Sequence, residues 1–276
     1  MWESGQRLFL AALKSTLSQA VILVVPLLLF GWLIHLCSSL LEKSAVRLLG
    51  LKAYLYLIAW PGTMIHELGH AIFCPFFGHR ITDMRLFSFS MRKNAGYVCH
   101  SYSGRNPYHL MGNFFISIGP LILGSVIIFL SLRFVAGLPL SWSDMIERGK
   151  TIVPAGDLLG GLAQFFSFLN TMAAKIYKSV DWMKLRTYLA AYLVLSIGSG
   201  MTLSRRDIST ASSGLGVILL VLFGMNLLLA VFGIAAPDAA PLLPWAASGC
   251  LILLLVLFFC TLAVLVLRLL LTLTGR

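Results

Sequence analysis

Charge is what this sequence has least of. Of 276 residues, 21 are Lys or Arg and 10 are Asp or Glu, so 11% are charged against 59% hydrophobic. Mean hydropathy is +0.91. A soluble domain carries about a quarter charged residues, which excludes a soluble enzyme or a disordered chain and points to an integral membrane protein. The shortage of acids leaves a formal charge of +11. On a membrane protein such an excess marks loops held beside anionic headgroups. No basic cluster is interleaved with aromatics, which excludes a nucleic-acid groove. Five cysteines (Cys37, Cys74, Cys99, Cys250 and Cys260) are odd in number and scattered through mostly apolar runs, so no disulfide framework is expected. Internal repeats and low-complexity linkers are also absent, and a single membrane domain over 1–276 is the simplest organisation.

Apolar runs near 19–36, 53–77, 110–135, 188–203, 215–235 and 245–271 predict an all-α polytopic membrane protein of about six transmembrane helices. The first run is longer than a signal-peptide core and has no small-residue cleavage site after it, so it reads as a retained span. The fourth is short and interrupted by glycines. Residues 81–103 have a different texture. Arg85, Phe87, Phe89 and Met91 alternate, Asn94-Ala95-Gly96 supplies turn chemistry, and Tyr97 to His100 can return. A small β-hairpin at the membrane surface, between the second and third spans, is expected. Over 158–176, Leu158, Leu162, Phe165, Leu169, Met172 and Ile176 recur every three or four residues, the pattern of an amphipathic helix lying on the membrane.

Loop charge sets the orientation. Arg80, Arg85, Arg92, Lys93 and Arg105 lie between the second and third spans, and Arg205 and Arg206 between the fourth and fifth. The 237–244 connection holds only Asp238. The positive-inside rule then places both termini of a multi-pass cell-membrane protein in the cytoplasm. The connection between the third and fourth spans is basic too, but long loops obey the rule poorly.

The chemistry concentrates in His66-Glu67-Leu68-Gly69-His70. Residues four apart share one helix face, so both imidazoles can reach one metal ion, with Glu67 on the flank. Zinc with three protein ligands and an open position lowers the pKa of its water to about 7, and Glu67 can take that water's proton. A chance HExxH is expected in about two of a thousand chains of this composition. A charged Glu at mid-membrane costs about 2.5–3.5 kcal/mol, so its presence there calls for a function.

Two histidines leave the zinc site incomplete. Cys74, His79, His100, His109, Asp157, Asp181 and Asp207 are the candidates for the third ligand. His66, His70 and Cys74 share a face but span about 12 Å along the axis, too far for one tetrahedral ion. Asp207 is the better choice topologically, because it follows the fourth span at the membrane face where the HExxH half of the second span lies. Gly198-Ser199-Gly200 could unwind the helix and aim Asp207 inward. The alternative is that Ser204 and Asp207 simply cap a helix.

Three stretches resemble the site-2 protease family of intramembrane zinc metalloproteases. WPGTMIHELGHAIFCPFFG (60–78) looks like its zinc helix, IGPLILG (118–124) is similar to its Gly-Pro motif, and YLVLSIGSGMTLSRRDIST (192–210) occupies the place of its broken, third-ligand helix. No Asp-Gly follows in that last stretch, and no PDZ-like domain is inserted. The resemblance covers a core of about 53–222, flanked by the spans at 19–36 and 245–271. It implies zinc held by His66, His70 and Asp207, Glu67 as the catalytic residue, and Ser199 near the family's Asn position. The hairpin would present a membrane-protein or membrane-peptide substrate in extended form. A non-proteolytic chaperone or regulator that keeps the fold, and an ion-coupled transporter, are the competing functions.

Overall fold

The computed structural model describes residues 2–89, 95–149, 158–234 and 243–273. It is mostly helical. The first helix, α1, runs unbroken over Trp2–Leu49, 48 residues. At 1.5 Å per residue that is about 72 Å, more than twice the ~30 Å hydrocarbon core. The apolar run at 19–36 therefore marks only the centre of a helix whose polar flanks carry Arg7, Lys14, Glu42 and Arg47. It ends where Gly50 takes a φ of 85°.

Helix α2 (Leu51–Tyr54), a π-helical turn (Leu55–Ala59) and α3 (Trp60–Phe76) follow as continuous right-handed helix. The wide turn precedes Pro61, which has no N–H to donate to the turn before it and whose ring crowds that turn. Helix α3 closes in a Schellman motif: His79 N–H donates to the Cys74 carbonyl (2.9 Å) and Gly78 N–H to that of Pro75 (3.1 Å). Gly78 has the positive φ, 70°, which that closure requires.

Strands β1 (Arg80–Arg85) and β2 (Tyr97–Ser101) pair antiparallel from Arg80↔Ser101 to Arg85↔Tyr97, with a bulge between Ile81 and Asp83. The hairpin is present, but its first strand stops at Arg85, short of the alternation expected up to Met91. Phe89 leaves the ladder to stack flat on Tyr56 of the π turn at 4.0 Å, with Phe87 edge-on at 4.7 Å. Packing of the two rings replaces ladder pairing. Met91 and Asn94 lie outside the described residues.

Helix α4 (Pro107–Leu130) starts on an Asn106 cap, its side chain accepting from Tyr108 N–H at 3.0 Å, and ends in a π turn at Ser131–Val135. A short α5 (Trp142–Gly149), which the hydrophobic pattern does not signal, precedes α6 (Leu158–Ser179). Helices α7 (Leu185–Gly200), α8 (Arg205–Val231) and α9 (Leu243–Leu273) complete the bundle. Among the described residues, Pro107–Val135, Arg205–Val231 and Gly249–Leu273 are long and apolar enough to cross a membrane. Helices α3 and α7, at 17 and 16 residues, are each shorter than the roughly 20 residues of a full span.

The core draws on α1, α4, α5, α6, α7 and α9. Ile34 of α1, Leu121 and Ile128 of α4, Val194 of α7, and Val256 and Cys260 of α9 are almost fully buried. Helix α8 turns its apolar side outward, with Leu220 72% exposed, as a lipid-facing surface requires. Between α4 and α7 lies α3, held so close that no side chain fits at the crossings. A Cβ on Gly69 would sit 2.6 Å from Pro120 N, and one on Gly62 would overlap the Ser196 carbonyl.

Candidate metal centre

The two crossings place the histidines. On α3, one turn separates His66 from His70, and each ring is fixed by a backbone carbonyl of a neighbouring helix. His66 Nδ1 lies 2.8 Å from the Gly200 carbonyl of α7, and His70 Nδ1 lies 2.8 Å from the Ile116 carbonyl of α4. A carbonyl only accepts, so both Nδ1 atoms carry the proton and both Nε2 atoms are bare in the neutral rings. These Nε2 atoms face one another at 3.1 Å. Asp207 completes the triangle, Oδ1 at 3.5 Å from His70 Nε2 and Oδ2 at 3.9 Å from His66 Nε2.

Three lone-pair donors thus converge, and their mutual repulsion calls for a cation between them. A shared proton can serve one of these contacts, whereas a metal ion serves all three. Metal–ligand bonds of about 2.0–2.1 Å in a tetrahedron put ligand atoms roughly 3.3 Å apart, and the observed separations bracket that value. His66, His70 and Asp207 are a His-His-Asp group able to hold a metal ion. The backbone carbonyls on Nδ1 supply the outer hydrogen bonds that metal-ligating histidines usually make.

Asp207 does both things that its position allows. Ser204 and Asp207 form a reciprocal capping box at the start of α8, with Ser204 N–H donating to Asp207 Oδ2 at 2.8 Å. The cap holds the carboxylate in place while Oδ1 faces His70. Gly198-Ser199-Gly200 does not unwind. Helix α7 stays regular to Gly200 and the break falls at 201–204. The glycines serve close packing instead, Gly200 against Gly62 and Gly198 against Val256. Ser199 is buried, and its hydroxyl donates back to the Ser196 carbonyl at 2.9 Å, within its own helix.

Glu67 is buried beside the group, and its carboxylate makes no hydrogen bond or ion pair among the described residues. The hairpin comes down on it: a Cβ on Gly96 would meet Glu67 Cγ at 2.7 Å and Thr63 Cγ2 at 3.1 Å. Only a residue without a side chain lets the backbone approach so near.

The other candidate ligands lie elsewhere. Cys74 is fully buried in α3, and Asp181 pairs with Lys184 at 2.8 Å near the start of α7. Asp157 is outside the described residues. His79, His100 and His109 form a second cluster at the base of the hairpin. His79 Nε2 donates to the His109 carbonyl at 2.8 Å, its Nδ1 meets His100 Nδ1 at 3.0 Å, and Tyr102 stacks on its ring at 4.5 Å. Buried Asn113 donates to the Tyr102 hydroxyl at 3.0 Å and holds that ring in place. Burial, with His79, His70 and Arg206 nearby, lowers the His100 pKa to about 4, so the ring is neutral.

Sequence reasoning did not find the carbonyls of Gly200 and Ile116, because any residue offers a carbonyl. Nor does the sequence assemble the His79–His100 pair, because the two residues meet only when β2 packs against the end of α3.

No protein family matches the chain, and no curated protein or solved structure is significantly similar to it.

Proposed function

We propose that this protein is a zinc-dependent intramembrane endopeptidase of the site-2 protease kind, cutting transmembrane or membrane-proximal segments of other membrane proteins. One observation carries the reading: two imidazoles with fixed tautomers and a capped carboxylate point bare acceptor atoms at one another, beside a buried glutamate that has no hydrogen-bond or ion-pair partner among the described residues. Two His and one carboxylate leave an open position on zinc, the donor set of hydrolytic zinc sites. When bound, zinc would polarise the peptide carbonyl and make water a nucleophile at neutral pH. Glu67 takes a proton from the attacking water and returns it to the departing amine nitrogen. The outer edges of the two-stranded hairpin, which pair with no further strand among the described residues, offer main-chain groups to an extended peptide.

The membrane arrangement belongs to the same proposal. Six passes, made by α1, the 51–76 run, α4, α7, α8 and α9, put both termini in the cytoplasm. The hairpin and the capping box of α8 then share that side, with Arg80, Arg85, Arg205 and Arg206. The test is Glu67→Gln in the full chain, co-expressed with a set of single-span reporter proteins. The expected protein keeps its metal and loses cleavage by at least a hundredfold. A Glu67→Gln protein that cuts like wild type would falsify the mechanism, and an intact wild type that cuts none of the reporters would favour a regulator that keeps the fold.

A further inference from the structure

The histidine cluster at the base of the hairpin has a direction built into it. The His109 carbonyl can only accept, so His79 Nε2 carries a proton and His79 Nδ1, in the neutral ring, is bare. The 3.0 Å contact between the two Nδ1 atoms then requires that His100 be the donor. One proton remains on each neutral ring, and His100 has spent its own on His79. Its Nε2 is left as a bare acceptor with no hydrogen-bond partner among the described residues.

Strand β2 packs against α3, the helix that carries both histidines of the metal group. At one end of the strand Gly96 lies on Glu67, and at the other His100 meets His79, three residues beyond the end of α3. Between these two points the strand packs against α3. Side chains alternate along a strand. Tyr97 faces outward, its hydroxyl donating to Asp83 at 2.7 Å and its ring under Arg85, so His100 is on the inner face. It lies within electrostatic reach of His70 and of Arg206, the neighbour of Asp207.

We propose that His100 is a substrate-binding residue of this site, its Nε2 accepting a hydrogen bond from a backbone N–H of the extended peptide that lies across the His-His-Asp group. The inference rests on the endopeptidase reading and adds to it a residue that recognises the peptide main chain. An extended segment presents N–H groups and carbonyls alternately. Beside the metal group the carbonyl is the group to be polarised, and an adjacent N–H withdrawn from water needs an acceptor. His79 is a positioning residue: through the His109 carbonyl it fixes which nitrogen of His100 is bare.

The test uses the cobalt-loaded full chain in detergent, with dissociation constants read from the visible absorption of the metal. The probes are a short peptidyl hydroxamate and the same molecule N-methylated at its first peptide N–H. Wild type should bind the methylated probe about tenfold more weakly, the scale of one hydrogen bond. H100F should bind both probes alike, at the weaker level, with cobalt uptake unchanged. H100Q, whose side-chain oxygen reaches toward the place of Nε2, should recover most of the preference. Equal binding of the two probes by wild type overturns the proposal without any variant being made, and so does an undiminished preference in H100F. Failure of wild type to take up cobalt sinks the metal reading itself, a separate outcome.

Discussion

At the scale of single residues, Asp207 carries two loads, and they can be separated. As an N3 residue it accepts from Ser204 N–H, and as a carboxylate it faces two bare imidazole nitrogens. Asn can still accept from Ser204 but brings no charge to the metal. Asp207→Asn is therefore expected to leave the metal-free protein within about 0.5 kcal/mol of wild type, while weakening zinc at least tenfold. Ser204→Ala removes the other half of the cap and should cost about 1 kcal/mol. Calorimetry in the presence and absence of chelator reads both effects. Equal zinc affinity in Asp207→Asn and wild type would remove Asp207 from the site.

At the scale of elements, the close crossings of α3 are what aim the histidines. A Cβ on Gly69 meets backbone atoms of Gly119 and Pro120, which no rotamer change relieves. Gly69→Val should push α4 away, break the hydrogen bond from His70 to the Ile116 carbonyl, and destabilise the protein by about 2 kcal/mol or more. Gly216 of α8 has open space around it, so Gly216→Ala should be neutral or stabilising by up to about 1 kcal/mol. Thermal unfolding of the two variants in one detergent is the comparison. A Gly69→Val protein as stable as wild type would mean that the crossing is looser than described.

Elements also show how far the sequence could be read. The HExxH spacing gave the shared face of His66 and His70, because helical period is a local property. Asp207 was reachable through the expected topology, in which loop charge and span count put it at the same depth as the HExxH. The tautomers were not, because they depend on carbonyls of Gly200 and Ile116 that approach only after three helices pack. The glycines at 198 and 200 look like breakers in a linear reading, yet they permit close contact between helices that are far apart in the chain. The length of α1 was hidden for the opposite reason: hydropathy marks the part of a helix that suits lipid, and polar flanks carry the helix on without a signal.

At the scale of the whole molecule, the paucity of charge and the basic excess meet in one arrangement. The six-pass proposal puts the hairpin, the start of α8 and both termini on the cytoplasmic side. Reporter fusions at residue 1 and after residue 276 should both report the cytoplasm, and a tag in the 237–244 connection the opposite face. A terminus on the far side would change the number of passes and separate the metal group from the basic loops that orient it.

The central claim is that His66, His70 and Asp207 hold a metal ion. Zinc K-edge X-ray absorption of the purified full chain tests it most directly. One zinc per chain is expected, bound by two imidazole nitrogens and carboxylate oxygen at about 2.0–2.1 Å. Sulfur at about 2.3 Å, which would bring in a cysteine such as Cys74, or a protein that holds no zinc, would contradict it.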